Sequence, residues 1–196
     1  ELDVPVIVGG CASHQAGLHL MRTGAAGVLV GFGGGAAHTT ADVLGVRVPM
    51  ATAVADVAAA RREYLDESEG RYVHVIADGS VGKSGDISKA IAMGADAVEL
   101  DVHVCATGEL VVIHDFTVDR TTNGTGEVHK LSLTALKQLK VEENYEIPLL
   151  DEVLNLLKGK CIINIEMKGR HTAKPLSAVL KKYVEGQDYS YNEIIV

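Results

Sequence analysis

The chain has 196 residues, 47% hydrophobic and 22% charged, with 21 glycines and no tryptophan, a composition that suits a folded globular core and excludes a disordered chain. Its formal net charge of −8 argues against a general nucleic-acid binder, which needs a basic surface, but leaves room for a local phosphate pocket. The three cysteines, Cys11, Cys105 and Cys161, are odd in number and far apart, so they read as reduced, buried thiols rather than a disulfide framework or zinc site. No signal-peptide pattern and no apolar run of membrane-spanning length occurs, which points to a cytoplasmic protein without a membrane partner. The first residue is Glu1 rather than methionine, as in a fragment or a processed product.

In chain order, short apolar runs predict strands at VPVIVGG (4–10), AGVLVGF (26–32), YVHVIADG (72–79), DAVELDV (96–102), LVVIHD (110–115), CIINIEM (161–167) and EIIV (193–196). Between them, helical patterns run through residues 14–24, 51–67, 84–94 and 174–186. Strands alternating with helices mean an α/β fold with a parallel sheet. The expected architecture is a (β/α)8 TIM-barrel-like one, hybrid and incomplete, because only seven strands can be counted where a barrel needs eight and about 250 residues. A doubly wound open sheet is the competing arrangement. The barrel is favoured because glycines and charged residues gather at the C-terminal ends of the strands, where barrel active sites are built: Gly9, Gly10, Gly31, Asp78, Gly79, Glu99, Asp101, His114, Asp115, Glu166 and Lys168. Two unpaired sheet edges would invite pairing with another chain, so the expectation is a homodimer, an open barrel or a longer chain of which this is part.

Residues 5–10 (PVIVGG), 27–40 (GVLVGFGGGAAHTT), 48–60 (VPMATAVADVAAA) and 75–98 (VIADGSVGKSGDISKAIAMGADAV) resemble the IMP dehydrogenase and GMP reductase family. That family carries a cysteine nucleophile in the loop after its sixth strand, where this chain has His38, as in cysteine-lacking relatives. Imidazole cannot replace a thiolate in covalent hydride-transfer chemistry, so only ligand binding would carry over. The resemblance implies Asp78 as a ribose-hydroxyl ligand and Gly79, Ser80, Ser84 and Gly85 as a phosphate-cradling loop opening a helix, although Ser80 stands where the family usually has a second glycine. A tight strand-to-helix turn with no ligand would use the same glycines.

From residue 95 the sequence changes allegiance. ADAVELDVHVCATGELVVIHDFTVDRTTNGTGEVHKLSL (95–133), IPLLDEVL (147–154) and INIEMK (163–168) resemble the glycerophosphodiester phosphodiesterase family. The word GADAV at residues 94–98 suits both parents, and the chain reads as one hybrid barrel of two fragments, residues 1–95 and 96–196.

Alternation in a strand puts Glu99 and Asp101 on one side, and likewise Glu166 and Lys168. Three converging carboxylates would repel one another unless a cation sat between them, and hard oxygen donors suit Mg²⁺ or Ca²⁺; unconnected acids on strand ends are the bland alternative. The resemblance implies Glu99, Asp101 and Glu166 as the metal ligands, His114 as one of two acid–base histidines, and Lys168 as a fixed positive charge beside a phosphoryl oxygen. His103 shares the face of Glu99 and Asp101 but is expected in the following loop. Asp115, Arg120 and Asn123 read as loop architecture.

The phosphodiesterase family also carries a His-Arg pair and a Glu-Asn pair early in its barrel. This chain has no His-Arg dipeptide, and VIADGSVGKSGDISKA (75–90) occupies the corresponding region. The expectation is a metal-dependent phosphodiester site with impaired hydrolysis, acting on a small phosphodiester or phosphate ligand. A phosphate- or nucleotide-binding module and an inert chimeric scaffold are the alternatives.

Overall fold

Short apolar strands, each followed by a helix or a long loop, organise the computed structural model, which describes residues 4–31, 45, 48–79, 84–141 and 144–196. The chain divides into two compact units, Glu1–Glu99 and Leu100–Val196, with the border inside one strand. Among the described residues there are seven strands, one short of a barrel's eight. No described helix is long and apolar enough to cross a membrane.

The first unit contains β1 (Ile7–Cys11), α1 (His14–Arg22), β2 (Gly27–Val30), α2 (Met50–Glu67), β3 (His74–Ala77), α3 (Ser84–Ala92) and the start of β4 (Ala97–Val104). The strands pair in parallel, with Val8 beside Val28, Val28 beside Val75, and Ala77 beside Val98. Val28, Val30, Val75, Ile76 and Ala77 are fully buried, the two-sided burial expected of parallel strands covered by helices. Ser13 caps α1, its hydroxyl accepting from the Ala16 amide at 3.3 Å. The close approach of α1 to α2 needs Gly17, where a Cβ would lie 2.9 Å from Val57.

At the start of β4, Asp96 gathers partners from two neighbouring elements. Its Oδ2 accepts from the Val75 amide at 2.8 Å and from the Arg61 guanidinium on α2, while its Oδ1 accepts from the Tyr72 hydroxyl at 2.6 Å. Gly94, at φ +106°, ends the turn after α3; a Cβ there would sit 2.7 Å from Ala58. The shared GADAV word thus begins with a residue that backbone and packing both require to be glycine.

In the second unit the rest of β4 forms an antiparallel hairpin with β5 (Leu110–Val112), with His103 opposite Val111. This corrects the expectation of a further parallel strand at residues 110–115. Only five residues, Cys105 to Glu109, separate the two strands, far too few for the crossover that parallel pairing needs. Gly108, at φ +99°, makes the turn. Residues 113–141 and 144–149 then fold over a separate small core of Val111, Ile113, Val118, Val128, Leu136 and Ile147, with α4 (Leu133–Gln138) capped by Ser132. After it come α5 (Leu150–Leu157), β6 (Ile162–Met167), α6 (Ala173–Glu185) and β7 (Ile194–Ile195), which lies parallel to β6.

The α/β reading of strand–helix units therefore holds, in the incomplete TIM-barrel-like form expected, with parallel pairing throughout the described first-unit strands and between β6 and β7, and an antiparallel exception at β4 and β5. The cysteines are free, as expected; Cys11 and Cys105 are buried and Cys161 half-buried. Burial pushes the Cys11 and Cys161 thiols up to about 11, which keeps them protonated and unreactive at neutral pH.

Candidate metal centre

Alternation along β4 turns Leu100, Val102 and Val104 to one side and Glu99, Asp101 and His103 to the other. Glu166 and Lys168 leave the end of β6 in the same two-residue rhythm. One carboxylate oxygen from each of Glu99, Asp101 and Glu166 lies within 4.8 Å of the others, so the structure brings these three predicted residues together. Lys168 joins them, its Nζ 2.5 Å from Glu166 Oε1 and 3.4 Å from Asp101 Oδ1.

Exposure differs sharply within the cluster. The Asp101 side chain is 13% exposed and the Glu166 side chain 54%. Burial pushes the Asp101 carboxyl above its usual range despite the opposing pull of Lys168 and His114. Buried Asp101 Oδ1 makes no hydrogen bond; its contact with Lys168 is an ion pair without hydrogen-bond geometry. Burial pulls on Lys168 in the other direction, yet the Glu166 hydrogen bond and the Asp101 charge hold its ammonium above the usual lysine value.

His114 lies just past β5, in the bend that follows it, with Nδ1 2.7 Å from Asp115 Oδ1. Arg120 grips the same carboxylate, Nε donating to Oδ2 at 2.5 Å and Nη2 to Oδ1 at 2.7 Å. That fork, with the His114 contact, holds the Asp115 carboxyl down at about 2. Asp115 therefore does more than shape the loop: it anchors one ring nitrogen of His114. Asn123 keeps the architectural role expected of it, exchanging hydrogen bonds with the Lys140 backbone.

His103 departs from expectation. It lies inside β4 rather than in a loop and is only 2% exposed. The run Val98, Leu100, Val102, Val104 already carried the strand past this residue, and that was the available signal.

In the first unit, Asp78 and Gly79 follow β3. The Asp78 amide donates to the Val30 carbonyl at 2.9 Å and Gly79 has φ +75°. A Cβ on Gly31 would lie 2.0 Å from the Asp78 carbonyl oxygen, so that glycine is required by packing alone. α3 begins at Ser84, and around Gly85 a Cβ would meet nothing within 4 Å. Ser80, the Ser84 side chain and His38 lie outside the described residues.

Comparison with known proteins finds two families, whose matches overlap over residues 86–137. The pattern of the IMP dehydrogenase / GMP reductase domain matches residues 1–137, and that of the glycerophosphoryl diester phosphodiesterase family matches residues 86–189. An uncharacterized oxidoreductase of Mycolicibacterium smegmatis is 64% identical over 110 residues, 56% of this chain and 29% of its own length. A glycerophosphodiester phosphodiesterase of Caldanaerobacter subterraneus is 38% identical over 117 residues, 55% of this chain and 47% of its own. The crystal structure of a glycerophosphodiester phosphodiesterase from Agrobacterium tumefaciens is similar at 34% identity and a TM-score of 0.48, covering 56% of this chain and 52% of that one. The chain thus spans less than a third of the oxidoreductase and about half of each phosphodiesterase.

Proposed function

From a chain that belongs to the IMP dehydrogenase / GMP reductase domain family through its first part and to the glycerophosphoryl diester phosphodiesterase family through its second, we propose a phosphodiesterase-type site that binds a divalent cation and hydrolyses diesters weakly or not at all. One observation carries the reading: the oxygens of Glu99, Asp101 and Glu166 converge within 4.8 Å. The donor set fits such an ion. Three carboxylates are hard ligands suited to Mg²⁺ or Ca²⁺, and the buried Asp101 Oδ1 makes no hydrogen bond, its ion-pair partner Lys168 being shared with Glu166.

Glu99, Asp101 and Glu166 would hold the cation, which when bound stabilises growing negative charge on a phosphoryl oxygen. Lys168 adds a second positive charge on the same side and orients an anionic substrate toward the carboxylates. His114, its Nδ1 2.7 Å from Asp115 Oδ1, would be the group that exchanges a proton with a small phosphodiester. Because Arg120 keeps Asp115 ionised, that imidazole is held in one orientation. The second acid–base histidine and the arginine implied by the phosphodiesterase family have no counterpart in residues 75–90, and each missing acid–base group costs about 10²–10⁴-fold in rate.

The test pairs two measurements. Melting under Ca²⁺ and Mg²⁺ titration should show stabilisation in the native protein and none in Asp101→Asn, since only binding to the folded state raises stability. Hydrolysis of a glycerophosphodiester at rates comparable to intact family members would overturn the proposed impairment.

The left-handed φ of Gly79 and the start of α3 at Ser84 favour a second reading, in which the turn after β3 binds a phosphate or purine monophosphate. That reading expects stabilisation by a purine monophosphate that survives Glu99→Gln.

A further inference from the structure

Beside the carboxylates lies a buried histidine that the proposed chemistry does not use. His103 Nε2 is 3.2 Å from the backbone oxygen of His114. A carbonyl oxygen only accepts, so the imidazole must donate, and its Nε2 must carry a proton. The ring also meets Phe116 edge to face, centroids 5.1 Å apart at 83°. On the side of Nδ1 it is closed by the turn after β6: a Cβ on Gly169 would fall 3.0 Å from Nδ1 and 3.0 Å from the Thr172 hydroxyl. Thr172, itself 1% exposed, donates from Oγ1 to the Gly169 carbonyl at 2.7 Å and fixes that turn. Backbone bonds fasten both loops on either side of His103: Ile113 donates to the Asp101 carbonyl at 3.1 Å and Lys168 to the Val102 carbonyl at 3.2 Å.

We propose that His103 is a positioning residue whose Nε2–H ties the backbone of His114 to β4, while its ring seats the Lys168–Gly169 turn. The two side chains assigned to proton transfer and phosphoryl charge, His114 and Lys168, leave from the two loops that converge on this one ring. A glycine at 169 follows from the same contact, because any side chain there would press on Nδ1. The bearing of this clamp on catalysis rests on the phosphodiesterase reading; the clamp itself does not.

Long-range ¹H–¹⁵N spectra of the native protein should show His103 protonated at Nε2, and an Nδ1–H tautomer would overturn the proposal without any variant. His103→Leu should speed hydrogen exchange at the Ile113 and Lys168 amides about fivefold, the size of one net hydrogen bond, while His103→Gln, whose amide nitrogen can donate in place of Nε2, stays within about twofold of native. Equal acceleration in both variants, or none in either, contradicts the clamp. Each protein is measured in EDTA and again with excess calcium. A native protein whose melting does not respond to calcium sinks the cation reading and leaves the comparison of Leu with Gln to decide on His103.

Discussion

Two aspartates five positions apart, one just before β4 and one within it, meet opposite fates. Asp96 accepts from the Val75 amide, the Tyr72 hydroxyl and the Arg61 guanidinium, and its side chain is 19% exposed. Asp101 is buried more deeply, at 13%, yet one of its oxygens makes no hydrogen bond and its carboxyl is pushed upward by burial. Desolvating a carboxylate is costly unless donors surround it. Where donors do surround it, as at Asp96, the group fastens α2 and β3 to the start of β4. At Asp101 they do not: two more carboxylates stand nearby, and the oxygen without a hydrogen bond has an ion pair with Lys168. The contrast separates an acid that the fold satisfies with donors from one, on the same stretch of chain, that it does not.

The largest expected effect tests the structural half. Arg61→Ala leaves a mostly buried Asp96 without its cation and should cost about 2–4 kcal/mol in urea unfolding, as removal of one member of a buried pair does. A loss under half a kcal/mol would mean that Asp96 is no better satisfied than Asp101, and the comparison would fail.

A smaller effect concerns Asp115, whose folded value of about 2 lies below the ordinary carboxylate value of about 3.9. A depressed folded value stabilises above the unfolded pKa, and that contribution fades as the pH falls through about 2. Unfolding free energies measured from pH 6 downward should therefore lose roughly 1–2 kcal/mol more in the native protein than in Asp115→Asn. Equal pH dependence in the two would show that the Arg120 fork does not hold Asp115 ionised.

The smallest change is expected at Asp101 itself, and with the opposite sign. Its folded value is raised, so in EDTA it favours folding only below the unfolded pKa and loses that advantage as the pH climbs through the folded value. At neutral pH, Asp101→Asn should be no less stable than the native protein in EDTA, by about 0–1 kcal/mol in its favour. A clear destabilisation would place Asp101 among the structural acids.

Much of this was legible in the residues. The period-2 run of Val98, Leu100, Val102 and Val104 placed Glu99 and Asp101 on one face, and the strand–helix alternation of the first unit follows the sequence closely. The antiparallel β5 was legible too, in the seven residues between the runs at 96–102 and 110–115, too few for a crossover, but a strand-like apolar run says nothing of direction by itself. What could not be read was the small core under residues 113–141 and 144–149. Val118, Val128, Leu136 and Ile147 follow neither a helical nor a strand period, and six-residue α4 is too short to declare itself. The role of His103 was hidden for a related reason. Its hydrogen-bond acceptor is a backbone carbonyl and its packing partner a glycine, and neither leaves a side-chain signature.

The central claim is that Glu99, Asp101 and Glu166 share one divalent cation, and calcium-dependent melting of the native protein beside Asp101→Asn tests it most directly. At a hundredfold excess of calcium over its Kd the native protein should gain about 2.7 kcal/mol, and Asp101→Asn, folded and equally stable in EDTA, should gain nothing. An Asp101→Asn protein that gains as much from calcium as the native one would contradict the account.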